Sequence, residues 1–266
     1  MRYRNYIYSA IILVVSLSSA HAEAPFKCAS IFQIKKGAIP TNIASYISKL
    51  KDISGFRLGM NPGDALDIMK RDGYRPTTTD YNLTHEVRIN NIGRRVESDN
   101  YISGITGQKI TDPSDYISIA FTSPVTGNGA FDIRKTIEFQ TNNRPLFNET
   151  LNAIEGKYGR HSFQKDGTYY IYYKNGMNEP EYTQEMVDNE FGYASSKREP
   201  NTQSTLSFSI PKMSGGEGLF NMKIYMIDRA YKYYDNILRE QYLQEIEKTY
   251  SENCNDKTSM PPPPKL

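Results

Sequence analysis

Two cysteines near opposite ends of the chain set the strongest constraint on its fold. Cys28 and Cys254 are the only cysteines among the 266 residues. A bond between them would close a loop of 226 residues. Closing so long a loop stabilises a fold by about 5 kcal/mol in the chain-entropy model. Two free thiols are the alternative, and an oxidising compartment favours the bond.

The first 22 residues have the features of a cleavable export signal. Arg2 and Arg4 precede an apolar run over residues 7–17, and Ala20-His21-Ala22 then gives the small–x–small pattern of a cleavage site. A membrane anchor is the alternative, but a spanning helix needs roughly 20 apolar residues, about twice the length of this run. We therefore predict cleavage after Ala22, with Ala24 as a competing site, and a mature protein in the periplasm or outside the cell.

Removal of this leader leaves a mature chain without net charge. The chain has 32 Lys and Arg against 30 Asp and Glu, and Arg2 and Arg4 leave with the leader. A neutral chain lacks the basic surface that nucleic-acid-binding domains carry, so we expect no nucleic-acid partner. No later segment approaches the length of a membrane span, so we also expect no transmembrane anchor in the mature chain.

Hydrophobic patterning predicts helices that pack on a mostly antiparallel sheet. The clearest helix start is Asn61-Pro62, where Asn61 is a favoured N-cap and Pro62 occupies the first helical position. Further helices are predicted, with Thr41 as the cap of the first, over residues 41–51, 145–158 and 229–250. Alternating apolar residues predict strands over residues 116–121, 131–140, 168–173, 205–210 and 220–227.

These elements predict a single α+β domain over residues 23–254. Residues 75–115 are polar and give no clear pattern. Strand and helix follow each other similarly around residues 56–74 and 131–159, which allows two small α/β units (23–115 and 116–254) that share one sheet. The tail over residues 255–266 contains four consecutive prolines and is expected to be disordered.

One stretch resembles a group of small bacterial envelope domains. Residues 53–65 read ISGFRLGMNPGDA and run on to Gly73-Tyr74. This is similar to the G-x-x-L-G-M-[ST]-x-x-[ED] opening of outer-membrane assembly lipoproteins and of β-lactamase-inhibitor-protein-like domains, and Lys157-Tyr158-Gly159 is similar to a later part of related periplasmic proteins. The resemblance implies helices on a small antiparallel sheet, and a protein-binding or assembly role without a cofactor. The chain lacks the lipidated cysteine of the lipoproteins.

Side chains suited to catalysis or metal binding are scarce. After removal of the leader only His85 and His161 remain, too far apart in sequence to form a metal-binding pair on one helix. No G-x-S-x-G and no Gly-rich phosphate-binding motif is present. We therefore predict no catalytic residue, metal ligand or cofactor. A secreted hydrolase that uses the acidic cluster between Glu179 and Glu190 is the alternative, although a solvated loop is the usual role of such a cluster.

The tyrosine-rich strand over residues 169–173 is the predicted binding surface. Tyr170 and Tyr172 share one face of this strand by alternation. If the other face packs on the core, both rings stand outward, where tyrosines often anchor a partner. Packing of these rings inside the sheet is the alternative. We therefore predict an exported, non-enzymatic binding protein that recognises another envelope or extracellular protein, with a structural envelope component as a further alternative.

Overall fold

The computed structural model describes residues 28–179, 204–211 and 218–254. The predicted leader, the proline-rich tail and the acidic residues that follow Glu179 lie outside these ranges. The described residues form four α-helices and two mostly antiparallel sheets, so the predicted α+β fold is confirmed.

The helices and strands are named in chain order. The helices are α1 (Thr41–Ile47), α2 (Pro62–Arg71), α3 (Phe147–Tyr158) and α4 (Arg229–Cys254). The first six strands are β1 (Ile31–Phe32), β2 (Tyr74–Tyr81), β3 (Thr84–Ile89), β4 (Ile92–Ser98), β5 (Tyr101–Lys109) and β6 (Asp115–Phe121). The remaining strands are β7 (Ala130–Glu138), β8 (Phe163–Lys165), β9 (Thr168–Lys174), β10 (Met177–Glu179), β11 (Ser204–Ser209) and β12 (Asn221–Asp228). A short 3-10 helix (Pro124–Thr126) lies between β6 and β7.

The main sheet contains nine strands in the order β10-β9-β11-β12-β7-β6-β5-β2, with β8 paired to β9. All of its neighbouring strands are antiparallel. One face packs on α1, α2 and α3 to form the main core, because alternate residues such as Ile117, Ile119 and Phe121 in β6 are apolar and buried. Strands from both predicted sub-units therefore meet in this one sheet.

Helix α2 begins as its sequence predicts. The side chain of Asn61 accepts a hydrogen bond of 2.9 Å from the backbone N–H of Asp64, and Pro62 is the first helical residue. Ala65 and Met69 face the core and are fully buried. This helix is thus fixed on the sheet by local capping and by one apolar stripe.

Helix α1 is shorter than predicted. It ends at Ile47, and Thr41 is its first residue rather than its cap, so that prediction is wrong. Pro40 precedes the helix in an extended conformation, and its carbonyl accepts the N–H groups of Ile43 and Ala44. The backbone of Pro40 therefore supplies the first hydrogen bonds of the helix, without a side-chain cap.

A second hydrophobic cluster joins the two ends of the chain. In the small sheet β1 pairs in parallel with β4, and β4 pairs antiparallel with β3. Its buried residues Val87 and Val96 pack with Tyr242 of α4. A disulfide bond joins Cys28, which precedes β1, to Cys254 at the end of α4, with a Cα–Cα distance of 5.8 Å. The predicted pairing is confirmed, and it fastens α4 to the small sheet.

Candidate interaction surface

The face of the main sheet that points away from α1, α2 and α3 is lined mostly by polar side chains. In β6 this side carries Tyr116, Ser118 and Ala120, and Tyr116 is 40% exposed. We define the open face as three rows of side chains that the strand registers align across β2, β5, β6, β7, β12, β11 and β9. The first row is Arg75, Gln108, Tyr116, Thr136, Lys223, Ser209 and Thr168; the second is Thr77, Thr106, Ser118, Arg134, Tyr225, Ser207 and Tyr170; the third is Thr79, Gly104, Ala120, Asp132, Ile227, Thr205 and Tyr172.

The centre of the open face is held in place by one arginine. Arg134 donates hydrogen bonds from Nε to Oδ1 of Asp132 at 3.0 Å and from Nη2 to Oδ2 at 2.6 Å. Its guanidinium carbon lies 5.8 Å from the centroid of the Tyr225 ring. The hydrogen bonds to Asp132 raise the pKa of Arg134 above its ordinary value. Since these contacts form within one chain, the arginine and the tyrosine are ordered before any partner arrives.

The two tyrosines predicted from the sequence differ in exposure. Tyr172 has 0% of its surface exposed, so the prediction that both rings stand in solvent is wrong for this residue. Its ring stacks on that of Tyr170 with centroids 6.3 Å apart, and the centroids of the Phe163 and Tyr170 rings are 6.0 Å apart. Its cross-strand neighbour Thr205 is also buried. The alternative of ring packing within the sheet therefore describes Tyr172, while half-buried Tyr170 remains on the open face.

A cleft of about 490 Å³ opens at the β2 edge of the open face. Its walls come from β2, β5 and β6 and from the turn that joins β5 to β6. The residues that line it are Arg75, Thr77, Thr106, Gly107, Gln108, Lys109, Ile110, Pro113 and Tyr116. The cleft thus combines hydroxyl, amide and cationic groups with the ring of Tyr116, and it contains no carboxylate.

A buried charge cluster lies on the opposite, helix-covered face. The ammonium of Lys135 contacts Oδ2 of Asp115 at 3.2 Å, the hydroxyl of Tyr74 at 3.0 Å and Oγ of Ser54 at 3.0 Å. The Tyr74 hydroxyl donates to Oδ1 of Asp115 at 2.8 Å. Burial, and then the carboxylate of Asp115, raise the pKa of Tyr74 above its ordinary value.

This cluster does not have the arrangement of a serine nucleophile with a base. All three N–H donors of the Lys135 ammonium have acceptors, in Asp115, Tyr74 and Ser54, and Oγ of Ser54 accepts in this contact instead of donating to a base. Ser54 occupies a tight turn in which Ile53 and Phe56 exchange backbone hydrogen bonds. The cluster therefore fastens this turn to the sheet. The sequence contains one indication of this buried cluster, because Lys135 shares its face of β7 with the apolar residues Ile133 and Ile137.

Both histidines outside the leader pair with a glutamate. His161 forms a hydrogen bond through Nδ1 with Glu155, and Nε2 of His85 lies 3.4 Å from Glu247. The pKa of Glu155 lies below its ordinary value because the hydrogen bonds and charge of His161 outweigh the opposing effect of burial, which is the largest single cause. Within the ranges that the structure describes, no group of three or more His, Cys, Asp or Glu side chains is placed to hold a metal ion. The acidic residues after Glu179, on which the hydrolase alternative rests, lie outside those ranges.

No protein-family model, curated protein or solved structure matches this chain. The resemblance of residues 53–65 to envelope domains therefore stays a prediction. In the part of the chain that the structure describes, no helix combines the length and the hydropathy of a membrane span.

Proposed function

We propose that this chain is an exported protein that recognises another envelope or extracellular protein through the open face of its main sheet. The observation that carries the proposal is the open face itself, whose rows of hydroxyl, amide, tyrosine and arginine side chains lie opposite a complete apolar core. The disulfide bond between Cys28 and Cys254 supports export, because such bonds persist in oxidising compartments.

The size of the open face suits a protein partner. Seven strands with a spacing of about 4.8 Å give a width of about 29 Å between the outer strands. A standard protein–protein interface covers about 800 Å² on each partner, which corresponds to a patch roughly 28 Å across. The width of the open face across its strands therefore matches the width of an ordinary interface.

The side chains of the open face also suit recognition. Tyrosine and arginine are among the residues that most often anchor protein interfaces. Near the centre of the open face these residue types are Tyr116, Tyr225 and Arg134. Serine and threonine fill half of the remaining positions and lose little conformational entropy when they are ordered. The result is a hydrogen-bonding surface with a few large anchors.

Site-specific photo-crosslinking in cells that make the protein tests this proposal. A photo-reactive amino acid at Ser118, on the open face, is expected to form an adduct with one defined protein. The same group at Asn152, exposed on α3, is the matched control and is expected to form no such adduct. Identical adducts from both positions would contradict recognition by the open face. Absence of adducts from Ser118 would favour a structural envelope component instead.

The compartment is tested separately on the purified native protein. Export predicts an N-terminus that begins after Ala22 or Ala24 and no thiol that reacts with an alkylating reagent before reduction. A protein that begins at Met1, or that carries two reactive thiols, would contradict export. This result is independent of the crosslinking experiment, since it concerns the leader and the disulfide alone.

A further inference from the structure

We propose that the cleft at the β2 edge of the open face binds a carboxylate side chain, Asp or Glu, of the partner protein. The inference rests on the proposed function, because it assigns a ligand group to one corner of the same face. Its evidence is the placement of polar groups around the cleft and the imbalance of charge within it.

Three side chains of the first row stand on adjacent strands and border the cleft. Arg75 of β2 lies opposite Gln108 of β5, and Gln108 lies opposite Tyr116 of β6. The amide nitrogen of Gln108 donates to the carbonyl of Pro113 at 2.6 Å, which orients the side chain and leaves its second N–H to donate elsewhere. A guanidinium, an amide N–H and a phenol hydroxyl are thereby brought to one cavity, and each can donate to a carboxylate oxygen.

The charge of the cleft is positive and only partly balanced. No carboxylate lines it, and Arg75 makes no ion pair with any described residue. The second cation, Lys109, has its ammonium 5.9 Å from the centroid of the Tyr74 ring, and Tyr74 is buried in the main core on the helix-covered side of the sheet. Arg75 is therefore the cation that stands beside Gln108 and Tyr116 in the cleft, without a counter-charge there.

One uncompensated charge matches a carboxylate better than a phosphate. A carboxylate carries a single negative charge and accepts two parallel hydrogen bonds from a planar guanidinium. A phosphate carries between one and two charges at neutral pH and is commonly held by several cations or by a helix N-terminus. The cleft offers one free guanidinium beside neutral donors, so its chemistry fits the monoanion.

Titration followed by NMR tests this assignment on the full mature protein. The probe is N-acetyl-glutamic acid α-amide, which carries a side-chain carboxylate and no charged terminus. Saturable shifts are expected at the Nε–Hε signal of Arg75 and at the side-chain amide of Gln108. The uncharged probe N-acetyl-glutaminamide should leave both signals in place. Equal shifts with both probes, or no saturable shift, would overturn the assignment.

Two variants and a second anion sharpen the test. Arg75→Gln is expected to weaken binding of the glutamate probe by roughly tenfold, the loss typical of one charged hydrogen-bonding partner. Arg88→Gln removes an exposed arginine from β3 and should leave the affinity unchanged. Inorganic phosphate should bind more weakly than the glutamate probe. Tighter binding of phosphate, or equal losses in the two variants, would count against the carboxylate.

The failure of this inference can be told from the failure of the proposed function. If the glutamate probe does not bind in the cleft while Ser118 still crosslinks to a defined protein, the open face recognises a partner without binding a carboxylate side chain in the cleft. If neither experiment succeeds, the proposed function fails together with the carboxylate subsite. Crosslinking from Ser118 that Arg75→Gln weakens and Arg88→Gln does not would support both.

Discussion

The hydroxyl of Tyr46 donates a hydrogen bond of 3.0 Å to the carboxylate of Asp228, and this contact ties α1 to the start of α4. Asp228 is fully buried and also accepts from Oγ of Ser204 at 2.8 Å and from the backbone N–H of Tyr231 at 2.7 Å. Burial raises the pKa of Asp228 to about 6 even though these hydrogen bonds favour its ionised form. One carboxylate therefore connects two helices and β11 at the cost of a charge in the core.

This carboxylate makes stability fall as the pH rises towards neutral. The folded protein holds the Asp228 proton up to about pH 6, whereas the unfolded chain releases it near 3.8, the ordinary pKa of an aspartate side chain. Between these values the folded state binds more protons, so the free energy of unfolding decreases with pH, by about 3 kcal/mol in total from this group. Urea unfolding at intervals from pH 4 to pH 7 measures the change.

A neutral replacement isolates the effect of Asp228 from that of other titrating groups. In Asp228→Asn the titration is absent, so the difference in stability between wild type and variant should change across this pH range, to the disadvantage of the wild type at higher pH. Asn152→Ala, at an exposed position of α3, removes no titrating group; it is the control and should show a difference that does not change with pH. Parallel pH profiles for wild type and Asp228→Asn would contradict the assignment.

The ion pair of Lys135 and Asp115 predicts a large loss of stability when one partner is removed. Lys135 is only 8% exposed, and its substitution leaves the buried Asp115 without its cation. We expect Lys135→Met to reduce the free energy of unfolding by about 3 kcal/mol or more. Chemical denaturation at neutral pH provides the measurement, and Lys223→Met, on the exposed face of β12, serves as the matched control.

The double variant distinguishes a structural ion pair from simple loss of packing. Replacing both charges in Lys135→Met/Asp115→Leu removes the unpaired carboxylate, so most of the lost stability should return. Equal destabilisation by the single and the double variant would show that the packing of these side chains, rather than their charges, is what the sheet requires.

Local signals in the sequence predict much of the secondary structure. Asn61 and Pro62 identify the start of α2 because capping depends only on neighbouring residues. The alternation in β6 is equally clear, since one face of that strand is apolar and the other is polar. Strands are harder to predict in the polar region over residues 75–115. Most of edge strand β2 is exposed on both faces, so its sequence shows no alternation of apolar and polar residues.

The candidate site depends on contacts that alternation cannot show. Alternation correctly assigns Tyr170 and Tyr172 to one face of β9, but it does not reveal which part of that face is covered. The open face itself is assembled from strands distant in sequence, and the registers that align Arg75 with Gln108 and Tyr116 exist only in the folded sheet. The face of a strand on which a side chain lies follows from its local alternation pattern. Whether that face is covered, and which residues of neighbouring strands lie beside it, follows from tertiary packing.

The disulfide predicts that reduction acts first on the second hydrophobic cluster. The bond closes a loop of 226 residues, for which chain entropy gives an upper value of about 5 kcal/mol. We expect the Cys28→Ser/Cys254→Ser double variant to be less stable by several kcal/mol but to keep its main sheet under mild conditions. Hydrogen exchange should accelerate in β1 and at the end of α4 before it accelerates in β6 and β7. Uniform acceleration across all strands would contradict this order.

Truncation of the central tyrosines should separate recognition from stability. Tyr116 and Tyr225 lie on the open face and contribute little to the main core, so Tyr116→Ala/Tyr225→Ala should leave the denaturation midpoint nearly unchanged. The same change should lower the yield of the Ser118 crosslink at least tenfold, as expected for interface anchors. Tyr81→Ala removes a ring that is 51% exposed outside the three rows, and it should preserve the crosslink. A full yield from the double variant would place the recognition surface elsewhere on the protein.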